Sequence, residues 1–201
     1  LGANMLGRVL DAPTKEAWNA AVHIMNWMIQ RKDSGIRFSS EGNPRPMAYV
    51  DASNKPDPTD SKCQYGYTHM WMGGPITWAS KKLNHVGLSA AHNEYMAIHW
   101  CNRQTAWLRD LLIELELGEL IADPMITWGD NRTANELCEE DMVTKGNHHY
   151  RTPYHFNKEM VDDGYVQVLW VESKENIADL FTKSVPRQVI EHLLNRMLGY
   201  E

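Results

Sequence analysis

The 201-residue chain has little that would cross-link it, anchor it in a bilayer or give it a basic field. Its three cysteines, Cys63, Cys101 and Cys138, are odd in number, far apart and never at metal-ligand spacing. That excludes a disulfide framework and a zinc knuckle, and it suits a reducing compartment. No apolar run approaches the roughly 20 residues that a membrane span needs, since even the stretch from Leu111 to Leu117 is broken by Glu114 and Glu116. The opening at Leu1 has no apolar signal core, so neither a secretory signal nor a transit peptide is expected, and the chain reads as an internal piece of something longer. A net charge of −6 argues against a generic nucleic-acid coat, whose field is basic. Any contact with nucleic acid then has to rest on local basic groups and bound cations.

What is present is enough apolar material, 43%, for one core with a small appendage. Pro13 and Thr14 open a stretch in which Trp18, Ala21, Val22, Met25, Met28 and Ile29 recur at three and four spacing, an amphipathic helix that Gly35 closes. Ser39 to Pro46 is the linker candidate. Met47 to Asp51 reads as a strand, and Tyr65 to Met72 with Ile76 to Ser80, separated by Gly73, Gly74 and Pro75, as a hairpin. Ser89 caps a long helix to about Leu117, with a kink or restart near Gln104. Then come a strand at 125–128, a helix from Asn131 to about Glu139, a helix over 149–162 stopped by Gly164, a strand over 165–171, and helices at 176–183 and 189–198. The order βββαβαβα implies an α/β fold, a mixed five-stranded sheet packed by helices and preceded by a helical segment. Residues 1–45 form the appendage, 46–185 the main domain and 186–201 a C-terminal helix.

Four acids close four of these contexts: Asp51 a strand, Glu94 a helix face, Asp130 a strand end and Asp179 a helix start. Three have ordinary structural explanations. Asp51 before Ala-Ser-Asn suits a turn, Asp130 suits a helix N-cap, and Asp179, three residues after Asn176, suits the helix macrodipole. Glu94 lies too far from Ser89 to complete a capping box, and it shares a face with Ala90, Ala91, Ala97, Ile98 and Cys101. A carboxylate there is expensive to bury unless a cation or donor meets it, the alternative being a rim position that reaches solvent. Convergence of all four would suit in-line phosphodiester cleavage, in which two ions about 4 Å apart serve the attacking and leaving oxygens. Magnesium takes such oxygen ligands. Asp51 would then bridge both ions, with Glu94 and Asp130 on one and Asp179 on the other.

The same residues sit in strings that resemble the ribonuclease H region of Ty1/copia-type retrotransposon polyproteins. They are Tyr49-Val50-Asp51-Ala52, Gly74-Pro75-Ile76-Thr77-Trp78-Ala79-Ser80-Lys81-Lys82, Leu88-Ser89 through Glu94-Tyr95, Gly129-Asp130-Asn131, Tyr154-His155-Phe156 and Ile177-Ala178-Asp179-Leu180-Phe181-Thr182-Lys183. The first helix, with Pro13-Thr14-Lys15-Glu16 and Trp18, is similar to the segment joining reverse transcriptase to ribonuclease H in that family. The resemblance implies a ribonuclease H-like fold with helices on both faces of its sheet. It implies an endonuclease that cuts the RNA strand of RNA/DNA hybrids during reverse transcription, with Asp51, Glu94, Asp130 and Asp179 binding two Mg²⁺, or Mn²⁺ as the alternative ion. It further implies a polymerase domain in the same polyprotein as partner, no membrane, and a cytoplasmic location, virus-like particles included, with the nucleus also open. The chain departs from the family's pattern at Ser53-Asn54, at Gly129, where the family carries Cys and where Gly loosens the strand end, and across 147–153. Pro153 is expected to delay or bend its helix.

Lys81, Lys82, Asn131, His149 and Lys183 are the candidate contacts to nucleic acid, the lysines through phosphates. His148 or His149, in a loop before a helix, is the candidate aid to product release, against the reading of an exposed loop histidine. His92 and His99, seven apart, lack a third ligand for zinc. Trp71, Trp78, Trp100, Trp107 and Trp128 fall inside predicted elements and are expected to pack there rather than stack on bases. Asp162-Asp163 reads as a solvated helix end, not a polymerase pair. The rival to the enzyme is a non-catalytic nucleic-acid-binding or structural domain of the same fold from a decayed element. A transposase or integrase relies on two aspartates and a late glutamate, whereas here the glutamate comes second.

Overall fold

Strand β1 (Met47–Ala52) forms the middle of the sheet, and its alternation divides the molecule into two layers. Ala48, Val50 and Ala52 face one core, while Tyr49 belongs to the other and Asp51 shares its face. The computed structural model describes residues 1–121, 123–140 and 151–200.

β2 (Gln64–Trp71) and β3 (Gly74–Lys82) follow as an antiparallel meander, and β4 (Met125–Gly129) and β5 (Val166–Trp170) add parallel to β1, in the order β3-β2-β1-β4-β5. This open mixed five-stranded sheet is the expected one. The hairpin turn is tighter than its sequence suggests. Only Met72 and Gly73 connect the strands, both with positive φ as a two-residue turn of this hand requires, so Gly74 and Pro75 lie within β3. The edge position of β3 tolerates a proline, which has no N–H to give.

On the Val50 face lies α3 (Ala90–Glu114), a continuous 25-residue helix with no restart near Gln104, its N-cap Ser89 accepting from His92 N. α4 (Arg132–Glu136) and α5 (Arg151–Asp162) pack beside it, and Tyr95, Ala97, Ile98 and Cys101 meet Val50, Val166 and Val168 in the main core. Pro153 sits in the first turn of α5, where a missing N–H is harmless, and Gly164 ends the chain's helical path with a φ of +71°. On the Tyr49 face lie α6 (Asp179–Thr182) and α7 (Arg187–Leu198), whose Phe181 and Met197, with Ile177 from the turn before α6, surround Tyr49 and Met70.

α1 (Gly2–Gly7) and α2 (Lys15–Gln30) precede the sheet and bury no residue. The stretch after them is a packed strap rather than a free linker. Arg37 N donates to Leu198 O at 2.8 Å, Ser39 N to Met72 O at 2.8 Å, and Trp71 Nε1 to Pro44 O at 2.9 Å. The tryptophans are less interior than expected: Trp71, Trp100 and Trp128 are half-buried, while Trp78 and Trp107 are 56% and 54% exposed. No helix among the described residues is long and apolar enough to cross a membrane.

Candidate active site

Strand β4 pairs with β1 only as far as Val50 opposite Gly129, so β1 runs on unpaired on that side for two residues, Asp51 and Ala52. Side chains take over the backbone groups left there. Glu94, reaching across from α3, accepts from Ala52 N at 2.9 Å. Asn176, fully buried, donates from Nδ2 to Val50 O at 2.9 Å and accepts from Ala178 N at 3.1 Å. The second contact bends the chain into α6. That helix lies close on the sheet because Gly66, opposite Asp51 in β2, has no Cβ to strike Phe181, and because Ser80 Oγ donates to Phe181 O at 2.6 Å.

The result is a convergence of carboxylates. Asp51, Asp130 and Asp179 each offer an oxygen within 4.8 Å of the others. Glu94 lies beside this group rather than in it. Its charge interacts with those of Asp51 and Asp130, but one of its oxygens is committed to Ala52 N. The donor charge that burial demanded is thus a backbone N–H. Asp130 is half-buried and accepts from Ser173 Oγ at 2.8 Å. It does not cap α4. Asn131 does, through Oδ1 accepting from Ala134 N at 3.2 Å, so the structural alternative for Asp130 falls away. Asp179 stands at the first helical position, not the third, because the preceding residues form a 3₁₀ turn, Ser173–Glu175. Gly129 is not loose. Asn135 Nδ2 donates to its carbonyl at 3.0 Å, and a Cβ there would come within 2.7 Å of Asn135 Oδ1.

Burial dominates the electrostatics. It pushes the Asp51 carboxyl up, with Asp130 adding to the rise and Lys183 and Thr182 opposing it. It pushes Glu94 well above the ordinary carboxylate range, helped by Asp51 and Asp130. Asp179 rises to about 6, from burial first and the Asp51 charge second. Among the described residues, one lysine meets the cluster. Lys183 Nζ lies 2.8 Å from Asp179 Oδ1 and 3.4 Å from Asp51 Oδ1, while the Thr182 hydroxyl donates to Asp51 Oδ2. Burial opposes the lysine's charge, but the three aspartates outweigh it and its pKa goes up. Three carboxylate oxygens at this spacing, two from buried residues and one from a half-buried one, fit a hard divalent cation such as Mg²⁺.

The other candidates spread more widely. Lys81 is exposed at the end of β3, but Lys82 is held by Asp57 at 2.7 Å and Asp60 at 3.0 Å. His148 and His149 lie outside the described residues. Sequence reasoning missed Asn176, Thr182 and Ser173 as positioning residues and Lys183 as the cluster's own cation. Each has a partner 43 to 132 positions away that no local period marks, although Lys183 also meets Asp179 at i,i+4 spacing.

No protein-family model matches the sequence. The chain is 32% identical over 195 residues to the retrovirus-related Pol polyprotein from transposon TNT 1-94 of Nicotiana tabacum, an alignment covering 97% of this chain and 14% of that polyprotein. It superposes on RNase H1 from the halophilic archaeon Halobacterium salinarum NRC-1 with a TM-score of 0.51 at 15% identity, covering 69% of this chain and 94% of that one. With LC11-RNase H1, solved in complex with an RNA/DNA hybrid, the TM-score is 0.50 at 11% identity, covering 75% and 99%. At such identities the two superpositions speak for the fold alone. Over nearly its whole length the chain is therefore homologous to one segment of the retrovirus-related Pol polyproteins of plant transposons, and it has a ribonuclease H-like fold.

Proposed function

We propose that the chain is a divalent-metal-dependent endonuclease that hydrolyses the RNA strand of RNA/DNA hybrids during retrotransposon reverse transcription. The observation that carries this reading is the meeting of Asp51, Asp130 and Asp179, drawn from β1, the end of β4 and α6, within 4.8 Å of one another. Nothing in the core requires three aspartates there, and their charges oppose burial.

Mg²⁺, or Mn²⁺ in its place, would be held by Asp51, Asp130 and Asp179 with Glu94 beside them, and would supply water activation and charge stabilisation at the leaving oxygen. The chain's own residues prepare that chemistry. Asn176 and Thr182 fix the distance between β1 and α6, Ser173 fixes Asp130, and Glu94 holds the free end of β1 while adding negative charge. Asn131 spends Oδ1 on its cap, which leaves its amide Nδ2 as a donor beside Asp130. Of the candidate lysines, exposed Lys81 is available to phosphates, whereas Lys82 would have to leave Asp57 and Asp60 and Lys183 would have to leave Asp179 and Asp51.

The neighbour solved with a hybrid and the Pol polyprotein relatives support the substrate class. Residues 1–45 are assigned as the connection to a reverse transcriptase polymerase domain of the same polyprotein, which suits the uncovered apolar side chains of Trp18, Met25, Met28 and Ile29. The cytoplasm, including virus-like particles, is the compartment that fits, with the nucleus as the second.

The test is cleavage of an end-labelled RNA/DNA hybrid in Mg²⁺ by the purified chain and by Asp130→Asn. Wild type should cut the RNA strand and spare duplex DNA. The variant should keep its far-UV circular dichroism and lose at least about 10²-fold in rate, the scale of losing one charge-stabilising group. If a hybrid that an unrelated ribonuclease H cuts in the same buffer stays intact with wild type, the non-catalytic binding reading replaces this one.

A further inference from the structure

The acid cluster carries a cation of its own, and its placement bears on how an ion enters. Lys183 follows α6 directly, and its ammonium lies between Asp179 Oδ1, at 2.8 Å, and Asp51 Oδ1, at 3.4 Å. The lysine side chain is 36% exposed, while those of Asp51 and Asp179 are 1% and 10% exposed. The stem therefore comes in from the rim with only its head among the acids, and it has the rotatable bonds to withdraw without moving the backbone. The Asp51 contact is the weaker one: its distance exceeds the roughly 2.7–2.9 Å of a charge-assisted hydrogen bond, within which the Asp179 contact falls. Among the described residues, no other lysine or arginine pairs with either acid. Without Lys183, three carboxylates would face one another with no counter-ion among the described residues.

We propose that Lys183 is a built-in competitor for the divalent ion: its ammonium is the counter-charge between Asp51 and Asp179 in the ion-free protein, and an ion binds between them only by displacing it. This rests on the metal-site reading of the cluster above. Lys183 thereby keeps the empty cluster compatible with a folded chain, and it weakens ion binding in return.

Binding of Mn²⁺ to the ion-stripped 201-residue chain, followed at pH 8 without substrate by the electron paramagnetic resonance of free Mn²⁺, tests this directly. Lys183→Gln should bind the ion about tenfold or more tightly than wild type, because a unit charge a few ångströms away is removed. Lys183→Arg, which keeps the charge, should bind no more tightly than wild type. Equal or weaker binding by Lys183→Gln overturns the proposal, as does tighter binding by the Arg variant. A second measurement needs no variant. Acylation of the Lys183 amine in wild type, read by mass spectrometry, should rise several-fold when saturating Mg²⁺ expels the head into solvent, and unchanged or reduced labelling overturns the proposal. Hybrid cleavage is scored separately. Cleavage with an ion affinity indifferent to residue 183 removes this inference and leaves the nuclease, whereas tighter ion binding in Lys183→Gln without cleavage by wild type does the reverse.

Discussion

Asp179→Asn is expected to make the ion-free protein more stable, by an amount that follows from the burial of the acid. Burial, and then the charge of Asp51, raise the Asp179 carboxyl from the ordinary 3.8 to about 6, with Lys183 pulling the other way. The folded chain thus holds this proton more tightly than the unfolded chain does. The group costs nothing below about pH 4, and its penalty grows as pH rises through about 6. At about 1.4 kcal/mol for each tenfold change in proton affinity, the full penalty is about 3 kcal/mol. Asparagine, a neutral side chain of the same shape, relieves most of it. A chain of this size gains about 2–4 °C in Tm per kcal/mol, so in EDTA at pH 8 the variant should melt about 6–10 °C above wild type. The gap should close toward pH 4. Thermal melts of both proteins across that range measure it, and the difference is the quantity to read, because buried His69, His92 and His99 tilt both curves the opposite way. Mg²⁺ should narrow the gap at pH 8 by stabilising wild type more than the variant. A variant that melts at or below wild type at pH 8, or a gap that does not shrink on acidification, refutes the account of the cluster as a buried charge penalty.

Three further outcomes are expected. Glu94→Gln keeps an acceptor for Ala52 N and removes a buried charge, so the protein should fold with undiminished stability while hybrid cleavage falls about 10²-fold or more; retained cleavage would reduce Glu94 to a clip on β1. Asn176→Ala strands the Val50 carbonyl and the Ala178 N–H inside the protein and should cost about 2–4 kcal/mol in urea denaturation, a loss under 1 kcal/mol being incompatible with the role assigned here. Burial pushes His69 down to about 4, so its contribution is fully present above about pH 6.5 and lost as pH falls through about 4. That is about 3 kcal/mol, and acid denaturation of His69→Gln should show a correspondingly shallower loss; identical acid curves would exclude it.

What the sequence made legible was whatever a short window specifies. The Ser89 cap, the long helix after it, the alternation of β1 and the stop at Gly164 each depend on residues within a few positions, and each is where it was expected. Errors arose where neighbouring residues compete for one local job. Asp130 and Asn131 both suit an N-cap, and Asn131 takes it; Gly73 and Gly74 both suit a turn, and only Gly73 is in it. At the site, the strings around Asp51, Glu94, Asp130 and Asp179 flagged the acids, but not that Glu94 would spend an oxygen on Ala52 N or that Lys183 would sit among the others rather than on the surface. The Lys183–Asp179 pair is at i,i+4 spacing, but the Glu94–Ala52 and Lys183–Asp51 pairings span 42 and 132 positions, which no periodicity encodes.

One structural circumstance links the end of the sheet to the chemistry. β1 outruns β4, and a strand end without a partner inside a protein needs other groups for its N–H and C=O. Glu94 takes one from the α3 face, Asn176 takes another from the α6 face, and both residues thereby help fix where the acids meet. An acceptor at 94, which glutamine would also supply, and the amide of Asn176 would consequently be demanded by the fold even in a chain that had stopped cutting nucleic acid. Asp130 would not. Its bond goes to an exposed serine, it caps nothing, and its charge raises Asp51 and Glu94 further out of the ordinary range. A fold kept only for binding would be relieved by a neutral residue at 130, as at 179, so the presence of aspartate at these two positions favours turnover over scaffolding more strongly than the presence of Glu94 does.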